Sequence, residues 1–331
     1  MSTSLFFSDG CATAQEIPIY VECFSILPNS TLTQDIVTQG EHRLPASGGF
    51  NCGDLLNPLQ NVKRTLSHPP CGVVVIAFNE EKAIAKCLRS LRNQTVPVFI
   101  VVVNDGSTDR TAEAASRFAD VVVNLPRHEE SWTGRPELAR VFNAGFRALK
   151  EIKTEYVMIS GADDVYPLDY VHNVMTRMMT KHIVLASGVA KGETSRSLSP
   201  RGGGRLLDTD WFRGVGFRYP ENYGFEVYLV YRALSEGKGV SIFPDVEFGI
   251  SRRTHISKRK SYLWGMGMKA LNYWWPYAIG RAFLVGVKHP ANGFAMLKGY
   301  FSSTPRHYDD IKEFVHEFQK RMIIKRLLEI L

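Results

Sequence analysis

Three apolar runs in the first half of the sequence each end in side chains that can bind ligands. Asn79 and Glu80 follow the run VVVIAF, Asp105 follows FIVVVN, and Asp163 and Asp164 follow YVMISGA. Polar groups at the carboxyl ends of parallel strands usually face a ligand crevice. Asp105 can accept a hydrogen bond from a nucleobase, whereas Asp163 and Asp164 repel each other unless a cation offsets their charge. The pattern predicts a nucleotide site with a hard divalent cation, Mg²⁺ or Mn²⁺, that also binds a diphosphate.

Two of these strand ends also have a simpler explanation. The residues after Asp105 can cap a helix N-terminus through Ser107 or Thr108, and adjacent aspartates are common in exposed turns. Three such strand ends in succession favour one ligand site over three unrelated turns.

The elements that must position these residues alternate between strand and helix. Short apolar runs recur with amphipathic segments of helical period between them, which predicts βαβ units and a parallel sheet with helices on both faces. We predict strands at residues 72–78, 96–103, 120–126, 155–160, 182–192 and 240–244, and helices at residues 79–94, 108–119, 135–152, 166–181, 224–239 and 309–331. The predicted fold class is therefore α/β.

Three regions of the chain differ in composition. Residues 1–70 mix Ser, Thr, Pro, Asn and Gly without a sustained period, which indicates a poorly ordered N-terminal extension. Residues 71–250 contain the predicted catalytic domain, and residues 251–331 form a basic, aromatic, helical region. Five cysteines without metal-ligand spacing argue against a zinc site and a disulfide framework and favour a reducing cytosol. We recognise neither a signal peptide nor a bilayer-spanning run, so we expect a cytoplasmic protein.

The stretch VVVIAFNEEKAIAKCLRSLRNQTVPVFIVVVNDGSTDRTAEAA resembles the opening of the family 2 glycosyltransferases, and the resemblance extends from residue 72 to about residue 253. It implies the GT-A fold, which is Rossmann-like with a mixed, mostly parallel sheet, and inverting transfer of a sugar from a UDP- or GDP-linked donor. It also implies Asp163 as the principal metal ligand of a D-x-D motif. The donor-binding residues that it implies are Phe78, Asn79, Glu80, Asp105, Arg135, Asn143 and Asp164.

The sequence departs from the family pattern at two positions. The family commonly has D-A-D-D where this chain has GADD, so that Gly161 replaces the first carboxylate. The family's general base is the Asp of a Glu-Asp pair, with Leu three residues and Arg six residues later. Glu226 has Leu229 and Arg232 at those offsets, so the resemblance assigns the catalytic base to Glu226. A surface glutamate stabilised by the helix dipole is the competing interpretation.

Residues on both sides of Glu226 are candidates for acceptor and metal contacts. Asp210 and Trp211 precede it as an acceptor-side loop would, although core packing also explains Trp211. Arg252 and Arg253 can offset the charge of the departing diphosphate on the acceptor side. His255 can complete a metal shell, with a surface histidine as the alternative.

Positive charge is concentrated near the C-terminus. The chain has a net charge of +7, and residues 251–331 contain 15 Lys and Arg against 5 Asp and Glu. Trp264, Trp274, Trp275 and Tyr277 lie in a stretch without acidic residues. Aromatic and basic side chains together suit a bilayer headgroup layer, which predicts peripheral contact with the cytoplasmic membrane face and a polyprenyl or dolichyl phosphate acceptor. A glycan acceptor, packing on the catalytic domain, and a homodimer contact stay open, and we expect no nucleic-acid partner.

Two other classes of function stay open as well. A sugar nucleotidyltransferase also binds a nucleotide on an α/β sheet, but a glycine-rich basic loop typically follows its first strand, and IAFNEEKAI has no glycine. A non-catalytic sugar-nucleotide-binding protein of the same fold would explain the missing first aspartate. Release of nucleoside diphosphate from a panel of donors distinguishes the three classes.

Overall fold

The computed structural model describes residues 68–192, 199–251 and 257–328, so residues 1–67 of the predicted extension lie outside the described chain. Within these ranges the strands are β1 (Cys71–Ala77), β2 (Val98–Asn104), β3 (Val121–Asn124), β4 (Tyr156–Gly161), β5 (Asp164–Val165), β6 (Ile183–Ala190), β7 (Arg205–Asp208) and β8 (Gly239–Ile250).

The helices of the described chain alternate with these strands and then follow one another. They are α1 (Ile84–Arg92), α2 (Thr111–Ser116), α3 (Glu137–Leu149), α4 (Tyr170–Thr180), α5 (Thr209–Gly214), α6 (Phe225–Ser235), α7 (Lys258–Ala270), α8 (Trp275–Lys288), α9 (Pro290–Tyr300) and α10 (Lys312–Leu328). A single 3-10 turn, Asp309–Ile311, precedes α10.

The parallel half of the sheet brings three strand ends to one edge. The strand order is β3-β2-β1-β4-β7-β6-β8-β5, and β1 pairs in parallel with both β2 and β4. Ala77 lies opposite Asn104, and Ile76 lies opposite Gly161. The segments that leave β1, β2 and β4 therefore emerge side by side, as the sequence pattern predicts.

Both faces of the sheet are covered by helices. Val73 and Val75 of β1 pack with α1 and α4, whereas Val74 packs with α3 and α6 on the other face. All three valines are fully buried, which explains why the strand is a continuous β-branched run rather than an alternating one. The predicted α/β class, with helices on both faces of a mostly parallel sheet, is confirmed.

The second half of the sheet contains features that the sequence pattern did not predict. β7 runs antiparallel to both β4 and β6, and β5 runs antiparallel to β8. β8 continues beyond residue 244, where the predicted strand ends, and it bulges between its pairings with Ser187 and Val189. Pro244 lies in the bulged stretch, where its lack of an N–H breaks no ladder hydrogen bond.

The C-terminal helices pack through glycines and one amphipathic face. A Cβ at Gly265 of α7 would overlap the carbonyl oxygen of Met296 in α9, so the two helices approach closely. Ile311 of the 3-10 turn and Val315 of α10 are fully buried, and Met322 of α10 is nearly so, which places one face of the last helix against the rest of the described chain.

Candidate functional site

The loops that follow β1 and β2 are joined by hydrogen bonds. The N–H of Asn79 donates to Ser107 Oγ at 2.9 Å, and Asn79 Oδ1 accepts from the N–H of Thr108 at 2.8 Å. Asn79 has a φ of 54°, in the left-handed region that asparagine adopts more readily than most residues. The N–H of Glu80 donates to Thr111 Oγ1 at 2.8 Å, which ties the same loop to the start of α2. These contacts fix both loops at the sheet edge.

Asp105 and Phe78 form one wall of the crevice together with His128. Asp105 is 5% exposed, and its Oδ1 lies 3.0 Å from Nε2 of His128. The His128 ring stacks on Phe78, with ring centroids 4.7 Å apart and planes 7° from parallel. Burial raises the pKa of Asp105, and His128 offsets part of that rise. A stacking surface beside one buried carboxylate suits a nucleobase.

Our sequence interpretation missed His128. It lies in an acidic loop, RHEESW, where a single histidine has no periodicity and no metal-ligand spacing to mark it. Only the folding of this loop over β2 reveals its contact with Asp105.

Arg135 lies just before α3, at the border with the C-terminal helices. Its guanidinium is 3.1 Å from Glu130 Oε2 and 5.8 Å from the centre of the Trp132 ring. Arg135 also lines a cleft of about 370 Å³ with Tyr223 and with Tyr262 of α7. The guanidinium of Arg135 thus places a positive charge in this cleft, which lies between the sheet edge and α7.

The two adjacent aspartates after β4 have different environments. Asp164 is 4% exposed, and its Oδ2 accepts from the N–H of Gly161 at 2.8 Å and from the Tyr166 hydroxyl at 3.0 Å. Burial raises the pKa of Asp164 to about 6. Asp163 is partly exposed, and its backbone carbonyl accepts from the N–H of Ser251 at 3.1 Å. Asp163 is therefore the more accessible carboxylate for a ligand, and Asp164 holds the turn.

The same turn has little space for a side chain in place of Gly161. A Cβ at Gly161 would lie 3.2 Å from Asp163 Oδ1 and 3.3 Å from Asp164 Oδ2. A third carboxylate at this position would also add negative charge beside two others. The departure from the family's D-A-D-D pattern thus agrees with the tight packing of this turn.

Three consecutive glycines, residues 202–204, form a turn that lies between Asp164 and Glu226, and we name it the triglycine turn. A Cβ at Gly202 would overlap Glu226 Oε1, and a Cβ at Gly203 would overlap Asp164 Oδ2. Because neighbouring Cα atoms are about 3.8 Å apart, both carboxylates contact one short stretch of backbone. Glu226 lies in the first turn of α6, where the helix dipole favours a negative charge.

Arg205 follows the triglycine turn and connects it to the start of α6. It is 1% exposed, and its guanidinium donates to the backbone carbonyl of Glu226 at 3.2 Å and to the Tyr219 hydroxyl at 3.4 Å. A further donation reaches the carbonyl of Pro200. Our sequence interpretation missed this residue too, because nothing in the short run RLLD separates a buried arginine from an exposed one.

These contacts bring most of the predicted site residues together. Asp105 lies on one side of the end of β1, and residues 161–164, which we name the GADD turn, lie on the other side. Strands two positions apart in a sheet are separated by about 10 Å. Glu226 reaches the same edge through the triglycine turn. Segments that are far apart in the chain thus meet at one side of the sheet.

Asn143, Asp210 and Trp211 are placed elsewhere. Asn143 is 4% exposed, and its carboxamide both donates to and accepts from the backbone of Tyr219. Its donor contact stays a prediction. Asp210 and Trp211 follow β7, which runs antiparallel to β4 and therefore ends at the opposite edge of the sheet. The Trp211 indole donates there to Glu236 at 2.8 Å. Their acceptor-side role stays a prediction, and the sequence pattern did not reveal this reversed strand.

Arg252, Arg253 and His255 lie outside the described residues. Ser251, which precedes them in the chain, donates from its N–H and its hydroxyl to the carbonyl oxygen of Asp163. The described chain thus leaves β8 beside the predicted metal ligand.

Two features are absent from the described residues. Across residues 68–192, 199–251 and 257–328, no helix is long and apolar enough to cross a bilayer. The same ranges contain no cluster of three or more His, Cys, Asp or Glu side chains arranged to hold a metal ion.

Comparisons with known proteins agree with this architecture. The sequence profile of Glycosyl transferase family 2 matches residues 72–234. The 4,4'-diaponeurosporenoate glycosyltransferase of Staphylococcus aureus strain N315 is 35% identical over 89 residues, which cover 25% of this chain and 24% of that relative. The chain thus matches about a quarter of the length of these curated relatives.

Two solved structures are similar to this chain at low sequence identity. The mannosyltransferase PcManGT from Pyrobaculum calidifontis, solved with GDP-Man and Mn²⁺, is 16% identical, with a TM-score of 0.50 over 79% of this chain and 76% of that one. TarS 1-349 of S. aureus, solved with UDP-GlcNAc, is 18% identical, with a TM-score of 0.46 over 59% of this chain and 64% of that one. Through residues 72–234 the chain belongs to glycosyl transferase family 2, and its sheet has the GT-A architecture.

Proposed function

We propose that this protein is an inverting glycosyltransferase that moves a sugar from a UDP- or GDP-linked donor to a hydroxyl or phosphate acceptor. The observation that carries the proposal is the meeting of three carboxylates at one sheet edge. Asp105 follows β2, Asp163 follows β4, and Glu226 reaches them across the triglycine turn. Membership of family 2 supports the proposal.

The nucleotide of the donor would lie against the loops after β1 and β2. The Phe78 ring offers a stacking surface, and the buried Asp105 offers an acceptor for a base N–H. Asn79 and Glu80 lie in the same loop and are proposed to contact the ribose side. Arg135 adds a positive charge for the diphosphate at the neighbouring cleft.

The residues at the GADD turn fit a divalent cation that is held largely by its substrate. Mg²⁺ and Mn²⁺ prefer carboxylate and phosphate oxygens, and such sites often use one or two carboxylates rather than a protein cage. Asp163 would hold the cation, Asp164 would keep the turn in place, and His255 remains a candidate ligand in the part that is not described. When bound, the cation would neutralise the leaving diphosphate.

Glu226 would act as the general base. It would take the proton of an acceptor hydroxyl as the oxygen attacks the anomeric carbon from the side opposite the leaving diphosphate, which inverts the configuration. Arg252 and Arg253 would offset charge on the leaving group. A phosphate acceptor is already ionised at neutral pH and needs no such proton transfer. A strong dependence on Glu226 would therefore favour a hydroxyl acceptor.

An exposed apolar face supports contact with a membrane. Trp275, Ile279, Phe283 and Val287 recur every four residues along α8 and are between 38% and 69% exposed. We name these four residues the apolar stripe. On α9, Phe294 is also strongly exposed. With the excess of Lys and Arg in residues 251–331, the stripe suits the surface of an anionic bilayer and so a polyprenyl or dolichyl phosphate acceptor.

Donor turnover tests the proposed function. We expect the purified protein to release nucleoside diphosphate from at least one UDP- or GDP-sugar, and Mn²⁺ or Mg²⁺ to increase the rate. Asp163→Ala should remove both turnover and the metal response, whereas Asp169→Ala, an exposed carboxylate of the next loop, should keep them. If no donor is turned over but donors still raise the melting temperature, the non-catalytic alternative is favoured.

A further inference from the structure

The triglycine turn separates two carboxylates that the proposed function uses differently. At residue 202 a side chain would occupy the space of Glu226 Oε1, and at residue 203 it would occupy the space of Asp164 Oδ2. We propose that Gly202 is a positioning residue that sets where the Glu226 carboxylate lies, because the missing side chain leaves the space that this glutamate fills. The proposal rests on the assignment of Glu226 as the base.

The backbone does not require glycine at residue 202. Among the described glycines with a left-handed φ, Gly204 of the same turn is present with 76°, whereas Gly202 and Gly203 are not among them. Alanine can therefore adopt the backbone conformation of residue 202 without strain. The three atoms nearest to an added Cβ all belong to the Glu226 carboxyl group, so this carboxylate accounts for the glycine.

The turn is held firmly, so it cannot move to make space. The N–H of Gly204 donates to the carbonyl of Ile159 at 2.9 Å, and its carbonyl accepts from the Tyr170 hydroxyl at 2.8 Å. The Tyr170 hydroxyl in turn accepts from the N–H of Gly188 at 2.9 Å. The N–H of Arg201 donates to Ser187 Oγ at 3.1 Å. The triglycine turn is thus tied to β4, α4 and β6.

The backbone of Glu226 is also anchored. Its carbonyl accepts from the buried guanidinium of Arg205, and α6 is packed into the core through Phe225 and Leu229. With both backbones fixed, only the rotatable end of the Glu226 side chain can yield to a methyl group at residue 202. Such a shift costs little stability, but it moves the base.

The side chain at residue 226 is longer than the one in the family pattern. The family base that Glu226 replaces is an aspartate, which is one methylene shorter. The extra methylene extends the carboxylate of Glu226 toward Gly202. The carboxylate therefore occupies the space that a Cβ at residue 202 would need. A shorter acid at residue 226 should therefore tolerate alanine at residue 202 better than glutamate does.

Gly203 provides an internal contrast. Asp164 is buried and holds hydrogen bonds to Gly161 and Tyr166, so it cannot move aside as the end of Glu226 can. Gly203→Ala should therefore lower the melting temperature, whereas Gly202→Ala should not. The two neighbouring substitutions are expected to separate an effect on stability from an effect on the base.

The test measures nucleoside diphosphate release with the donor that the wild-type protein turns over fastest. We expect Gly202→Ala to lower kcat about 100-fold, since a displacement of about 1 Å has effects of that size. KM for the donor and the melting temperature should match those of the wild-type protein, and Gly214→Ala, a control glycine with no neighbour within 4 Å of an added Cβ, should keep the wild-type kcat. Glu226→Asp in the Gly202→Ala background should restore at least about tenfold of the lost rate.

Two results would overturn the proposal. One is a Gly202→Ala protein with the kcat of the control, and the other is a double variant no faster than Gly202→Ala alone. A crystal structure of Gly202→Ala tests the proposal independently of activity. In it the Glu226 carboxylate should be displaced from its wild-type position. The base assignment fails separately, if Glu226→Gln keeps the wild-type rate with a hydroxyl acceptor.

Discussion

Burial distinguishes the carboxylates of the site from one another. Asp105 and Asp164 are almost fully enclosed, and in both cases burial raises the pKa. Asp163 and Glu226 are partly exposed and so remain accessible to ligands. Of the buried pair, Asp105 is suited to hydrogen-bonding a base and Asp164 to holding a turn. Of the exposed pair, Asp163 is suited to contacting the cation and Glu226 to contacting the acceptor.

The raised pKa of Asp105 predicts a pH-dependent stability. The folded state holds the proton of this carboxyl more tightly than the unfolded state, whose pKa is near 3.8. Its contribution to the free energy of unfolding is therefore fully present below that pH and is lost as pH rises through the folded pKa. Asp105→Asn removes this titration. The variant should gain stability relative to wild type as pH rises above about 4 and through the folded pKa.

Urea unfolding at several pH values measures this difference. The comparison should be repeated in a His128→Gln background, since the imidazole lies 3.0 Å from Asp105. A difference between Asp105→Asn and wild type that stays constant with pH in both backgrounds would show that Asp105 has no raised pKa.

The sequence predicted individual residues where a strand end or a motif offset marked them. Asp105 and Asp163 follow apolar runs, and Glu226 follows from its offsets to Leu and Arg. Asn143 was assigned to the donor because a motif does not show which side of a helix faces the core. His128 and Arg205 were missed because their importance depends on contacts with residues distant in sequence.

At the scale of elements, the strands in the parallel half of the sheet were predictable from the sequence, whereas the short antiparallel strands β5 and β7 were not. β1, β2 and β4 are buried on both faces and appear as continuous apolar runs. β7 has only four residues, RLLD, which is too short for a periodicity to emerge. This strand reverses the chain direction, so the residues after it emerge at the edge away from the site.

The packing of α3 on the sheet predicts a stability effect. Gly145 faces β1, and a Cβ there would overlap Val74 Cγ1 and lie 3.0 Å from Val103 Cγ2. Gly145→Ala should therefore lower the free energy of unfolding by about 1–3 kcal/mol. Chemical denaturation measures this change.

Gly214→Ala is the matched control for this substitution. Gly214 ends α5, and an added Cβ has no neighbour within 4 Å. The control should be neutral or stabilise the protein by up to about 1 kcal/mol, because alanine is the better helix former. Equal effects of the two substitutions would contradict the tight contact between α3 and β1.

At the scale of the whole molecule, the basic C-terminal helices differ in charge from the sheet domain. Residues 251–331 hold more than the whole net positive charge of the chain. Composition predicted this asymmetry, whereas the apolar stripe required the structure, because periodicity alone does not show which helix face is left exposed.

The apolar stripe predicts binding to anionic vesicles. The protein should float with vesicles of phosphatidylcholine that contain about one third phosphatidylglycerol, and high salt should weaken this binding. Phe283→Ser combined with Phe294→Ser should reduce flotation strongly. Met179→Ser, which changes an exposed apolar side chain of α4, should not. A protein that stays unbound at low salt would contradict the membrane proposal, and a dimer that dissociates in the double variant would assign the stripe to self-association.

The central claim is that Glu226 serves as the base at a donor site formed with Asp105 and Asp163. The most direct measurement compares donor hydrolysis by water in wild type, Glu226→Gln and Glu313→Gln, a control glutamate in the first turn of α10. Glu226→Gln should lose about 100-fold or more in kcat while donor binding, followed by thermal shift, is unchanged. Glu313→Gln should match wild type. A Glu226→Gln protein that hydrolyses the donor at the wild-type rate would contradict the account.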